Sequence, residues 1–226
     1  MRDNLNDREQ DRFLGRLSSL WKDEQDQILI SRAIQALDTR YHLSRKVAAE
    51  PGVEGIIGQM LGRLASSFGR LSSIQNKKIL DIACGSNSSK APGSFHVDMP
   101  FGARKIGRSR KGYTALFEPW FCRILIELGA SPVGIDSGDL EHETFTHYHV
   151  DLGQPGALDF LPSHSFDAIQ DSRLFGSPEF TAQFPSHAAR SEVAQEIRRQ
   201  EQRLLKRDGL IIHSDATALL NSMGLS

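Results

Sequence analysis

Apolar positions in the first third of the chain recur at helical spacing. Phe13, Leu14, Leu17, Leu20 and Trp21 mark one helix, and Leu29, Ile30, Ala33, Ile34 and Leu37 mark a second. A longer stripe, Val53, Ile56, Ile57, Met60, Leu61, Leu64, Phe68 and Leu71, follows Pro51, whose fixed φ suits the start of a helix. Stripes of this kind have to bury themselves against a second layer.

That layer begins at Lys77, where the period changes to short apolar runs closed by Asp or Gly. Lys77 to Gly85 predicts a buried strand ending in a tight turn. From Tyr113 to Leu128, one helical face carries Leu116, Phe117, Trp120, Phe121, Ile124, Leu125 and Leu128, and Gly129 supplies the stop. Further strands are expected at Ser131 to Asp136, Phe145 to Val150 and Phe166 to Asp171. A helix from about His187 to Lys206 then leads through Arg207-Asp208-Gly209 into a fifth strand, Leu210 to His213. Strands that alternate with helices predict an α/β fold with a doubly wound, mostly parallel Rossmann-like sheet. The expected division is a helical N-terminal extension, 1–75, that caps the pocket, and an α/β domain, 76–226. Ser86 to Gly112 interrupts that domain with 27 residues rich in Gly, Ser and Pro, a length and composition expected of a lid, a binding loop or a disordered segment.

Composition narrows the range of functions. Hydrophobic residues at 39% and charged residues at 24% describe a chain able to fill a core. Lys and Arg number 27 against 28 Asp and Glu, so no global field draws the protein to nucleic acid or to an anionic membrane. Arg104, Lys105, Arg108, Arg110 and Lys111 are a local exception; a solvated loop accounts for them better than phosphate contacts do. No apolar run approaches the roughly 20 residues of a membrane helix, and Met1 to Gln10 lack the pattern of an export signal. With only Cys84 and Cys122, neither a disulfide framework nor a zinc cluster is expected, and a reducing, cytoplasmic setting follows. His142, His147 and His149 are close in sequence, but without a cysteine nearby they read as paired surface or interface histidines.

The chemistry is concentrated at the strand ends. In a doubly wound sheet, ligands sit at the carboxyl ends of the strands beside the topological switch point. Asp81 and Gly85 close the first strand, Asp136 the second, Asp151 the third and Asp171 the fourth. A carboxylate after the second strand suits a ribose diol, because it can accept from both hydroxyls. The backbone around Ala83 to Ser86 can approach a ligand closely, since Gly85 has no side chain in the way.

These segments resemble the class I S-adenosylmethionine-dependent methyltransferases. Ile79-Leu80-Asp81-Ile82-Ala83-Cys84-Gly85-Ser86 is similar to their first motif, and Leu128-Gly129-Ala130 through Val133-Gly134-Ile135-Asp136 to their second, with its ribose-binding acid. Tyr148-His149-Val150-Asp151-Leu152 resembles the third, whose acid approaches the adenine amino group. Ser165 to Phe175 resembles the fourth, and Leu204 to Ile212 the helix-turn-strand of the last. The resemblance spans about residues 50–215. It departs from the family in the insertion at Ser86 to Gly112 and in the absence of a second turn glycine. Only Ser214 to Ser226 follow the fifth strand, too little for the family's final strand pair, so the sheet edge is expected to be covered by the N-terminal helices or by a partner chain, such as the second copy in a homodimer.

The resemblance implies methyl transfer from S-adenosylmethionine to an oxygen or nitrogen of a small-molecule acceptor. It implies Asp81, Ala83, Gly85, Asp136, Asp151 and Asp171 for the cofactor, with Asp171 and His213 as candidate catalytic groups and Ser172 and Asp215 beside them. No metal site is expected, because Asp171 and Asp215 alone offer too few oxygens to a hard cation. The alternative is a non-catalytic methyltransferase-like binding or partner subunit whose 86–112 insertion alters the pocket. A nicotinamide enzyme fits less well: the 51 positions from Gly85 to Asp136 far exceed the roughly 20 expected, and a Gly-x-Gly-x-x-Gly turn is missing.

Overall fold

The computed structural model describes residues 23–87, 115–171, 174–176, 180 and 183–212. Helix α1 spans Glu24–Tyr41 and starts at Asp23, whose carboxylate accepts from the amides of Gln25 and Asp26. It buries Ile30, Ala33, Ile34 and Leu37 and ends at His42, which adopts a left-handed φ of 55° and turns the chain into α2, Leu43–Ala49. Helix α3, Gly52–Phe68, buries Val53, Ile56, Ile57, Leu61 and Leu64. The stripe expected from Val53 to Leu71 is thus the buried face of one helix together with the 3-10 turn Leu71–Ile74 that follows it. The first stripe, Phe13 to Trp21, lies outside the described residues.

Five parallel strands follow: β1 Lys78–Ile82, β2 Ser131–Asp136, β3 Thr146–His149, β4 Phe166–Gln170 and β5 Leu205–Ile212. Their order is β3-β2-β1-β4-β5, so β1 is central and pairs with both β2 and β4. The chain reverses its direction of travel across the sheet between β3 and β4, which places the topological switch point at the carboxyl ends of β1 and β4. The fold is α/β and Rossmann-like in this sense.

Two sequence expectations change. Helix α5, His187–Leu204, stops two residues before Lys206, and β5 begins at once. Phe166 pairs with Leu205 while Ala168 pairs with Leu210, so Lys206 to Gly209 is a bulge within the strand rather than a turn before it. Gly209 permits the bulge: a Cβ there would lie 3.1 Å from the carbonyl oxygen of Asp167. The second change concerns the crossovers. Helix α4, Trp120–Glu127, lies between β1 and β2 and α5 between β4 and β5, but residues 137–145 and 150–165 connect their strands through bends and turns without a helix.

Helices α1, α3 and α4 cover one face of the sheet. Leu37, Ile57, Leu64, Trp120 and Phe121 share a core there with Ile79, Ala168 and Ile212, so apolar packing is continuous across residue 75. On the other face, Ile197 and Leu204 of α5, with Leu158 and Leu161, pack on Leu80, Ile82, Ile135 and Ile169. Among the described residues, no helix is long and apolar enough to cross a membrane.

Candidate functional site

β1 delivers its chain to the switch point through a tight turn. Ala83 takes a left-handed φ of 62°, and Gly85 has a φ of 102° that only glycine adopts without strain. A Cβ at Gly85 would lie 2.1 Å from the carbonyl oxygen of Phe117, so glycine is required here by space as well. The turn aims the Gly85 amide at β2, where it donates to Asp136 Oδ2 at 2.9 Å. The other oxygen, Oδ1, accepts from the Gly138 amide at 2.7 Å. Burial raises the Asp136 carboxyl above its ordinary range, and the Gly138 and Gly85 amides oppose that shift. Each carboxylate oxygen keeps one lone pair, enough for the two hydroxyls of a vicinal diol.

The remaining predicted residues are distributed around this pair. Asp81 belongs to the strand rather than the crevice: it is 0% exposed and faces α4, where Oδ2 lies 3.5 Å from the Cys122 thiol. Asp151, half-buried after β3, closes an Asx turn by accepting from the Gly153 amide at 2.9 Å, with Gln183 and Gln154 on the same carboxylate. The Gly153 amide first, then Gln183 and Gln154, hold its carboxyl below the usual range. Beside Asp151, a depression of about 470 Å³ opens along the outer edge of β3, with Tyr148 and Phe160 in edge-to-face contact at 4.9 Å on its wall. It lies at the sheet's edge, two strands from the switch point. Asp171 follows β4 directly and is buried. His213, Ser172 and Asp215 lie outside the described residues.

Three features carry no obvious sequence signal. Glu201, on the sheet-facing side of α5, is 2% exposed, and its Oε1 has no hydrogen-bond partner among the described residues. Burial, then the charge of Asp171, pushes its carboxyl up to about 8, against the pull of Arg198. The second is a charged cluster beneath the feet of the 88–114 segment. Arg123 on α4 binds Glu118 and, at 2.7 Å, Glu143, and its guanidinium lies 4.0 Å from the Tyr41 ring centre. Lys46 reaches Glu118 from α2, with burial lowering its pKa first and Glu118 opposing. Asn87 joins the same cluster, donating to Glu143 Oε1 at 2.8 Å and accepting from the Glu141 amide at 2.7 Å. Arg123 is the one residue a sequence reading can single out, as a charge inside the apolar run Trp120 to Leu125 that requires a buried partner.

The third feature is the closure of those two feet. Ser86 donates its amide to Phe117 O at 3.0 Å, and Ala115 donates its amide to Glu50 at 3.3 Å. Ser86 and Phe117, one on each side of residues 88–114, therefore stand side by side.

On β3, His147 and His149 share a face as their spacing predicts, and His149 Nδ1 pairs with Asp139 at 3.0 Å. Burial lowers the pKa of His147. Among the described residues, no three His, Cys, Asp or Glu side chains come together to hold a metal ion. The chain matches no family model, no curated protein and no solved structure.

Proposed function

We propose that the carboxyl ends of β1, β2 and β4 bind S-adenosylmethionine, and that the protein transfers its methyl group to an oxygen or nitrogen of a small-molecule acceptor. The observation that carries this reading is the pairing of Gly85 with Asp136 on adjacent parallel strands beside the switch point. A glycine turn and an acid in those two places suit the two ends of an adenosyl group with an amino-acid tail. Asp136 keeps two lone pairs for a ribose diol. When bound, the cofactor supplies an electrophilic methyl on a sulfonium.

The chain's share of the chemistry is alignment. In this reading Asp171, after β4, orients an acceptor or takes a proton that leaves with methylation, and His213, the residue after Ile212 at the end of β5, is a second candidate for that proton. Asp81 has no exposed surface, so in this reading it supports the turn from below rather than touching the cofactor.

A second reading has an observation of its own. The Asp136 carboxylate is already bound by two amides of the protein, which is what a non-catalytic relative with a self-closed crevice requires. Calorimetry with S-adenosylmethionine, S-adenosylhomocysteine and NAD separates the readings. Saturable binding of the first two, with none of NAD, is the expected result. No binding of any of them supports the non-catalytic reading, and binding of NAD alone supports a nicotinamide enzyme.

A further inference from the structure

The chain has two cysteines, and folding places them together. Cys84 sits in the turn after β1 and Cys122 on α4, 38 positions later. Their sulfurs meet above Gly134 of β2: a Cβ added there would lie 2.8 Å from Cys84 Sγ and 3.4 Å from Cys122 Sγ. The missing side chain leaves the space that both sulfurs flank; Cys84 Sγ donates to the Gly85 carbonyl and Cys122 Sγ to Asp81 Oδ2, each at 3.5 Å. Phe145, Ile126 and Leu140 close the niche. Exposure is unequal, 6% for Cys84 and 0% for Cys122.

We propose that Cys84 and Cys122 form a redox-sensitive staple, a dithiol that a disulfide oxidant converts into a cross-link between the β1 turn and α4. Cys84, the more accessible sulfur, attacks the oxidant as a thiolate, forming a mixed disulfide and releasing one small thiolate. Cys122 then loses its proton and attacks the Cys84 sulfur, which expels the second small thiolate. Two protons and two electrons leave the pair, and one disulfide of the oxidant becomes two thiols. The closing sulfur–sulfur distance is about 2.0 Å, reached by side-chain rotation from sulfurs that both border the empty Gly134 position.

The consequence follows from position. Residues 88–114 lie wholly inside the loop that the cross-link closes, and the feet of that loop are otherwise joined by the Ser86–Phe117 and Asn87–Glu143 hydrogen bonds. Closing a loop of this length restricts the unfolded chain strongly and raises Tm. Burial pushes the Cys84 thiol up to about 11 and the Cys122 thiol well above its ordinary value, so reaction is slow while the turn is shut.

The test treats the reduced, full-length folded chain with oxidised glutathione and follows intact mass, non-reducing peptide mapping and Tm. The expected product has lost two hydrogens, retains no glutathionyl group, yields one Cys84–Cys122 cross-linked peptide and melts about 5–15 °C above the reduced form. Cys122→Ser should stop at a mixed disulfide on Cys84, and Cys84→Ser should stay unmodified. A wild-type chain that keeps a glutathionyl group, cross-links only between molecules, reacts only after denaturation, or forms the bond without a rise in Tm overturns the proposal. The wild-type measurements decide the matter even where a serine variant fails to fold.

Discussion

The carboxylate of Asp136 accepts a hydrogen bond at 2.9 Å from the amide of Gly85, a residue 51 positions earlier in the chain. One ionisable side chain therefore holds the turn that ends β1 against the loop that begins after β2, and the candidate site is built around that bond.

Asp136→Ala should cost stability and ligand affinity together. It leaves the amides of Gly85 and Gly138 without their acceptor, a loss of about 2–4 kcal/mol read by urea unfolding. In the adenosyl reading, S-adenosylhomocysteine binding should also weaken by on the order of 1–3 kcal/mol in calorimetry at a temperature where the variant is folded. Unchanged affinity in a folded variant removes the ribose assignment.

Gly85→Ala tests the turn itself. The new Cβ meets the Phe117 carbonyl at 2.1 Å, and φ of 102° is foreign to alanine, so the turn has to move. The expected cost is at least about 3 kcal/mol by denaturant unfolding. A loss under about 1 kcal/mol would mean that the turn has a second conformation of similar energy.

Glu201 gives stability a pH dependence of known sign. Its folded carboxyl titrates at about 8, above the roughly 4.3 of an unfolded glutamate, so between those values the native state binds the extra proton. Its contribution is fully present below the unfolded value and is lost as pH rises through about 8. Wild-type stability should fall by about 2–4 kcal/mol over that window, and Glu201→Gln, neutral at every pH, should remove most of the slope. Parallel stability profiles of the two proteins would exclude a buried, protonated Glu201.

Arg123→Met leaves the carboxylates of Glu118 and Glu143 buried, with Lys46 on Glu118 as the remaining ion pair among the described residues. Arg123 is 2% exposed, and both partners are equally well buried, so the loss should reach about 3–5 kcal/mol. Adding Glu143→Gln should recover part of it, since one uncompensated charge is then gone. Additive losses in the double variant, measured by thermal unfolding, would show that the two side chains act independently.

Replacing residues 88–114 by a short Gly/Ser linker should leave the sheet folded. Ser86 already donates to Phe117 and Asn87 to Glu143, so the ends stand side by side without the segment. Near-native circular dichroism is expected, with Tm lowered by no more than about 5 °C. Calorimetry on the same protein then shows whether the segment contributes to ligand affinity.

The helices and the parallel strands were legible because each carries its own period. The stripe from Val53 to Leu64 can bury itself only as a helix, and Ile79 to Ile82 and Val133 to Ile135 are too short and too apolar for anything but buried strands. The bulge in β5 was not legible, because Arg207-Asp208-Gly209 has the same local chemistry whether it precedes a strand or interrupts one; the pairing of Phe166 with Leu205 settles which. Likewise Lys46, Glu118 and Glu143 read as solvated charges until Arg123 gathers them, and nothing around Glu201 in the chain shows that it faces the sheet.

Local chemistry thus settled the elements and the acids at their ends, since periodicity, glycine and strand-closing aspartate act over a few residues. Tertiary structure decided the pairings: Asp136 with Gly85, Cys84 with Cys122, Arg123 with Glu118 and Glu143. Those depend on burial and on distances between residues far apart in the chain, and a sheet order of β3-β2-β1-β4-β5 is what brings them within reach.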